Sequence, residues 1–286
     1  MSEAVFNPNN YGGFKLGSNE PLFCMMGLNV LEDLDLALKV ADHLKTVCLR
    51  LGLPFVFKAS FDKANRSSIK SYRGPGLEEG LEIFHKLKQE LDVPIITDIH
   101  EAEQARVVAE VADIVQIPAF LARQTDLVIA IAKASVEYER LIHVKKPQFM
   151  APHDTKNVLS KIMEVTEQNN VIFCERGSSF GYNNLVVDML GIQTMQKLGC
   201  PVSIDATHAV QLPGADPRTG GQSTGGRREG VPIIAKSAVA AGADAMFLEF
   251  HPDPDSAKCD GPSCLPLDGA ESLLRTLKAV RESISQ

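Results

Sequence analysis

From Pro21 onward the chain alternates short unbroken apolar runs with longer stretches in which apolar residues recur every three or four positions. The runs predict strands at Pro21–Met26, Pro54–Phe57, Val93–Thr97, Ile114–Ile117, Leu141–Val144, Val171–Cys174, Pro201–Ile204 and Ala245–Phe250. Helical spacing is plainest in Glu32–Leu51, where Leu34, Leu38, Ala41, Leu44, Val47 and Leu51 share a face, and in Leu77–Leu91, through Leu81, Phe84, Leu87 and Leu91. Further helices are expected at Ala102–Val111, Arg123–Ser135, Asp154–Gln168, Leu190–Leu198, Val231–Ala241 and Gly269–Ser283. The Gly- and Asn-rich N-terminal segment, within residues 1–20, reads as a short hairpin closing the bottom of a barrel.

Eight apolar strands alternating with helices predict an α/β fold with a parallel sheet. At 286 residues a closed (β/α)8 TIM barrel is favoured over an open doubly wound sheet, and no Gly-rich dinucleotide fingerprint follows the first strand. The reading is one barrel domain over residues 1–286, with long loops at 206–229 and 251–268 as lids.

Composition narrows this further. Trp is absent and Tyr occurs four times, so the core must be aliphatic. No apolar run is long enough for a membrane span, and the N-terminus lacks the basic-then-apolar order of a secretory signal. The six cysteines form no CxxC pair, which suits reduced thiols in a cytoplasmic protein. A net charge of −7 argues against nucleic acid as a partner.

Against that acidic background, Phe57–Gly76 (FKASFDKANRSSIKSYRGPG) carries five cations and a single acid. Lys58, Lys63, Arg66, Lys70 and Arg73 are interleaved with Ser60, Asn65, Ser67, Ser68 and two glycines. Cations supply charge, and hydroxyls and main-chain N–H groups fill the remaining oxygen lone pairs, as phosphate binding requires. A solvated basic loop is the alternative. The other strand ends are also polar: Asn29, Asp98 with His100, Gln116, Lys145 with Lys146, Glu175 with Arg176, Asp205 with His208, and Glu249 with His251. Barrel active sites lie at such ends. Mutual neutralisation of acids and lysines around the mouth is the plainer explanation for any one of these residues, but a poor one for the set.

The stretch KASFDKANRSS followed by SYRGPG, with VKKPQF and Lys258-Cys259-Asp260-Gly261-Pro262 further on, resembles the 3-deoxy-octulosonate 8-phosphate synthases. That family condenses phosphoenolpyruvate with arabinose 5-phosphate in lipopolysaccharide sugar synthesis. The resemblance implies that Lys58, Lys63, Gln116, Pro118, Ala119, Lys146 and Arg176 surround phosphoenolpyruvate. It implies that Asn65, Arg66 and Ser67 receive the sugar phosphate, with Arg123 reaching it from a neighbouring subunit of a homotetramer. The catalytic set is expected to be Lys146, as proton donor, with Asn29, Asp98, His208, Glu249 and Asp260. The family has a metal-dependent form with Cys where this chain has Asn29, and a metal-independent form with Asn. The resemblance therefore implies no metal and no cofactor. The rivals are a 7-phosphoheptulonate synthase using erythrose 4-phosphate, and a sugar-phosphate-binding barrel without turnover. The former's usual Lys-Pro-Arg-Thr is replaced here by Lys63-Ala64-Asn65-Arg66. Two departures from the family stand out: the long, charged segment Ala134–His143, with His143 where Asn is usual, and an extended 206–229 loop.

Overall fold

The computed structural model describes residues 3–6, 14–166, 170–216, 220 and 224–284. Eight strands form the ring: β1 (Phe23–Val30), β2 (Phe55–Ser60), β3 (Ile95–Asp98), β4 (Ile114–Ile117), β5 (Leu141–Lys145), β6 (Val171–Glu175), β7 (Val202–Asp205) and β8 (Ala245–His251). Each pairs in parallel with the next, and β8 pairs with β1, which closes a (β/α)8 barrel. Pro21, Pro54 and Pro201 stand just outside the strands expected to begin on them, since proline has no N–H to give a ladder. At the other end every strand but β4 extends beyond its apolar run, carrying the polar strand-end residues into the sheet.

The helices between them are α1 (Leu34–Leu51), α2 (Leu77–Leu91), α3 (Gln104–Val111), α4 (Thr125–Tyr138), α5 (Thr155–Met163), α6 (Leu190–Gln196), α7 (Val231–Ala240) and α8 (Ala270–Ile284). Helix α1 starts where Asp33 accepts from Leu36 N–H at 2.8 Å, and stops at Gly52 with φ 66°. Helix α4 runs past the expected Ser135 and ends on Glu139, itself left-handed at φ 56°. Helix α5 stops at Met163; the expected end at Gln168 lies outside the described residues.

Side-chain parity divides the core in two, because successive strand residues face opposite sides. Leu22, Cys24, Met26, Phe57, Val115, Ile142, Val144, Phe173, Ile204 and Leu248 face the helices and form the outer core. Phe23, Met25, Val56, Ile96, Ile114, Leu141, Ile172, Ala245 and Phe247 fill the barrel interior. Leu16 joins this inner cluster from the N-terminal hairpin, whose strands Glu3–Phe6 and Phe14–Gly17 are antiparallel. The turn of the hairpin lies outside the described residues. Gly27 lets β1 approach β2: a Cβ there would fall 2.1 Å from Lys58 O.

All six cysteines are buried. Among the described residues no helix is long and apolar enough to cross a membrane.

Candidate active site

Continuing the inward parity beyond the apolar layers gives Asn29, Lys58, Ser60, Asp98, Gln116, Lys145, Arg176, Asp205 and Glu249, all buried. Of these, Lys58, Asp98, Gln116, Lys145, Arg176 and Asp205 line a cavity of about 340 Å³ at the carboxyl ends of the strands. Phe247 lies at its base, with Lys145 Nζ 3.4 Å and Lys58 Nζ 5.2 Å from the ring centroid. The π-face offers two buried ammonium groups a partner that does not neutralise them.

Burial favours the neutral form of each ionisable group, and the neighbours decide which groups resist it. Burial pushes Lys58 down, while Glu249, whose Oε1 accepts from its Nζ at 2.6 Å, pulls it back. Burial would raise Glu249, but His208, Lys58 and Lys63 bring it down to about 2. For Asp98 the same opposition is resolved by His100, whose Nε2 is 3.2 Å from Oδ2, and by Lys63 and Lys58, which hold the carboxyl well below its usual range. Asp205 is likewise held low against burial by His208 and Lys145. Burial alone would lower Lys63, but Glu249, Asp98 and Asp260 raise it. Burial lowers Arg176, against the pull of Asp205 and Glu175.

One chain of contacts crosses the cavity. Arg176 Nη2 donates to Gln211 Oε1 at 3.1 Å, and Gln211 Nε2 donates to Asp260 Oδ2 at 2.9 Å. Asn29 Nδ2 donates to Asp260 Oδ2 at 3.2 Å and to Glu249 Oε2 at 2.5 Å. It also stands 3.4 Å from His208 Nε2, whose own distances to Glu249 and Asp260 are both 3.7 Å. Asp205 holds the other edge of that imidazole, 2.7 Å from Nδ1, and caps the short helix Ala206–Ala209 by accepting from His208 N–H. The buried Arg176 Nη1 has no hydrogen-bond partner among the described groups.

The expected residues fall into three groups. Lys58, Lys63, Asn65, Arg66, Ser67, Asp98, Gln116, Pro118, Ala119, Arg176, His208 and Asp260 line the cavity. Asn29 and Glu249 lie beneath it, bonded to its walls. Arg123 and Lys146 are outside it. Arg123 is exposed just before α4, and its carbonyl accepts from Lys161 Nζ. Lys146 does not line the cavity at which it was expected. It is fully buried on the outward side, with Nζ 3.5 Å from Glu175 Oε1 and donating to Ser178 Oγ, at 3.1 Å, and to Met150 O. Parity is the cause: Leu141, His143 and Lys145 point inward, so Lys146 points out.

Residues without an expected role also belong to the site. Lys145 and Asp205 are paired strand-end residues. His100 orients Asp98, as does Ser60, which donates to Asp98 Oδ1 at 2.5 Å. Gln211 sits in the 206–229 loop, where Gln211–Leu212 pairs with Gly225–Gly226; residues 217–219 and 221–223 lie outside the described residues. The 251–268 loop is tied down by Lys258 N–H on Glu32 Oε1 at 3.0 Å and by Leu265–Pro266, which extends the sheet beside β8. Arg66 meets this loop at Cys259 and lies 4.0 Å from Asp260.

A parallel barrel whose strand ends converge lysine and arginine on one cavity is an anion-binding α/β enzyme scaffold. The model of the DAHP synthetase I family matches residues 5–286, and the chain belongs to that family. It is 54% identical over 284 residues to the 2-dehydro-3-deoxyphosphooctonate aldolase of Shewanella frigidimarina, covering 99% of this chain and 96% of that one. The proteins of the same name from Shewanella denitrificans and Shewanella baltica are 53% and 52% identical, each over 96% of this chain and over 92% and 94% of theirs.

Proposed function

We propose that the chain catalyses the reaction named for these relatives, joining phosphoenolpyruvate to arabinose 5-phosphate with release of phosphate. The observation that carries this is the convergence of Lys58, Lys63, Lys145 and Arg176 on one cavity, with Arg66, Asn65 and Ser67 also lining it. Phosphoenolpyruvate brings a carboxylate and a phosphate, and the aldose brings a second phosphate. Fixed cations hold these anions side by side despite their repulsion, which turns an encounter into a positioned reaction.

C3 of phosphoenolpyruvate bonds to the aldehyde carbon, and the aldehyde oxygen takes a proton. A water oxygen bonds to C2 and gives up its protons, and the C2–O bond to phosphate then breaks. Lys145 replaces Lys146 as the group that donates to the aldehyde oxygen. His208, oriented by Asp205, takes a proton from the water, and Glu249 and Asp260 hold that water through the Asn29 amide.

Asn29 supports a reaction without metal. Its amide nitrogen donates to both Glu249 and Asp260 and stands 3.4 Å from His208 Nε2, so a neutral donor links carboxylates that a cation would otherwise link. An amide is also a poor ligand for a transition metal beside a thiolate.

We propose assembly as a homotetramer in which Arg123 completes a neighbour's sugar-phosphate site; its exposed place outside its own cavity leaves it available for that role. Hybrids of Arg123→Ala and Lys145→Ala subunits should regain activity that neither parent has. Verified hybrids with none would return Arg123 to a local role.

Purified protein given phosphoenolpyruvate and a panel of aldose phosphates tests the main reading through phosphate release and product mass. An eight-carbon acid from arabinose 5-phosphate is expected. The family description makes erythrose 4-phosphate the control that matters: preferential turnover of it would overturn the acceptor assignment, and no release with any aldose would overturn catalysis.

A further inference from the structure

His143 occupies the barrel interior on β5, fully buried and directly across the ladder from Gln116 on β4. Its Nδ1 is 3.0 Å from Gln116 Oε1, and its Nε2 is 2.9 Å from Ser203 Oγ on β7. The ring stacks on Phe247 of β8, with centroids 5.8 Å apart and planes 8° from parallel. One imidazole thus joins four strands just under the cavity floor. The charged groups around it are Lys145, Asp205 and Lys58, and burial with the two lysines pushes it well below the usual imidazole range. That environment favours the neutral ring.

A neutral imidazole has one N–H and one lone pair, so it donates through one nitrogen and accepts through the other. Two arrangements satisfy both neighbours. In the first, Nδ1–H donates to Gln116 Oε1 and the Ser203 hydroxyl donates to Nε2, which leaves the Gln116 amino group facing the cavity. In the second every bond is reversed, and Gln116 presents its oxygen instead.

Two observations favour the first. Gln116 borders the cavity with Lys58, Lys63, Lys145 and Arg176, a lining suited to anions. An amide oxygen turned toward an anion repels it, whereas an amino group donates to it. The Gln116 oxygen, and not its nitrogen, stands 3.0 Å from His143 Nδ1, which makes Nδ1 the donor of that bond. The Ser203 hydroxyl lies 2.9 Å from Nε2 and 3.2 Å from Phe173 O, so it can serve either arrangement.

We infer that His143 is a positioning residue: by donating from Nδ1 to Gln116 Oε1 it locks the Gln116 carboxamide with its amino group toward the anionic substrate. The identity of that anion, an enol phosphate, rests on the function proposed above; the lock does not. It gives the departure at His143 a function within the site.

Two measurements test it. In ¹⁵N-histidine-labelled wild-type protein without ligand, with His143→Asn used for assignment, the resonances of His143 should report a neutral ring protonated at Nδ1 across neutral pH. A ring protonated at Nε2, or an imidazolium, would overturn the lock. In steady-state kinetics, His143→Phe keeps a stacking ring but removes the donor. It should raise KM for phosphoenolpyruvate about tenfold, the loss of one charge-assisted hydrogen bond, with kcat little changed. Gln116→Leu should do the same, and His143→Phe added to Gln116→Leu should cost nothing more. Additive losses in the double variant would mean that His143 acts through packing, and would refute the proposal. If wild-type protein fails to turn over phosphoenolpyruvate, the functional reading falls and the resonance measurement still decides the lock. It equally decides the matter if His143→Phe does not fold.

Discussion

The adjacent lysines at the end of β5 offer the sharpest test of how the site is built. Lys145→Ala removes an ammonium group from the cavity wall. Asp205 loses that ammonium partner but still accepts from the His208 N–H at 2.9 Å, so the buried carboxylate keeps a donor. The loss therefore falls on the ligand. A charge-assisted contact to phosphoenolpyruvate is worth about 1.5–3 kcal/mol, or roughly 10- to 150-fold in binding. A lost proton donor adds about 10²–10⁴ in rate. A fall in kcat/KM of at least about 10³ is expected. Lys146→Ala removes a charge from the opposite side. Glu175 then keeps the N–H groups of Arg176 at 3.0 Å and Gly177 at 2.7 Å, and burial already pushes its carboxyl up toward the neutral form. The expected cost is about 1–3 kcal/mol of stability, with kcat/KM of the folded protein in the same order of magnitude. Phosphate-release kinetics and urea midpoints on both variants read out the contrast. A folded but inactive Lys146→Ala beside an active Lys145→Ala would refute the parity assignment.

Three further outcomes are expected. Arg66→Ala should weaken the sugar phosphate by about ten- to a hundredfold and spare phosphoenolpyruvate; equal losses for both in binding assays would place Arg66 on the wrong phosphate. Asn29→Cys should bind zinc or cadmium stoichiometrically in calorimetry, because Glu249, His208 and Asp260 already face the new thiolate, while chelators should leave the wild-type rate unchanged; a chelator-sensitive wild type would contradict the metal-free mechanism. Glu249 is depressed from 4.5 to about 2 in the fold, so the unfolded chain binds more protons between those values. Its contribution is complete above about pH 4.5 and is lost as the pH falls toward 2; Glu249→Gln should flatten the dependence of the urea midpoint on pH in that window, and parallel curves would count against the shift.

The barrel was legible because its apolar runs and helical stripes are long and regular, as in Leu77–Leu91 and Ile114–Ile117, which match the observed elements to the residue. The ends were harder. A strand end that carries charge looks like the start of a loop in a hydrophobic pattern, so Lys145 lay beyond the expected strand and parity could not choose between it and Lys146. Gln211 was not legible at all, for it follows no period and acts through a loop pairing with Gly225–Gly226. His143 showed only as an oddity, because its meaning depends on Gln116, Ser203 and Phe247 from three other strands. Arg123 is visible in the chain, but what completes its role would be a second copy.

The six buried thiols have a practical consequence. Burial raises the thiols of Cys174 and Cys200 to about 12, so at neutral pH they present neither thiolate nor access to an alkylating reagent. Modification must wait for the protein to open. Cys259 and Cys264 sit on the loop that carries Asp260, whereas Cys174 lies within the barrel. Site-resolved alkylation of the native enzyme would therefore time the breathing of that loop separately from the parting of the strands. Occupancy of the cavity should slow the first clock, while the second follows global unfolding.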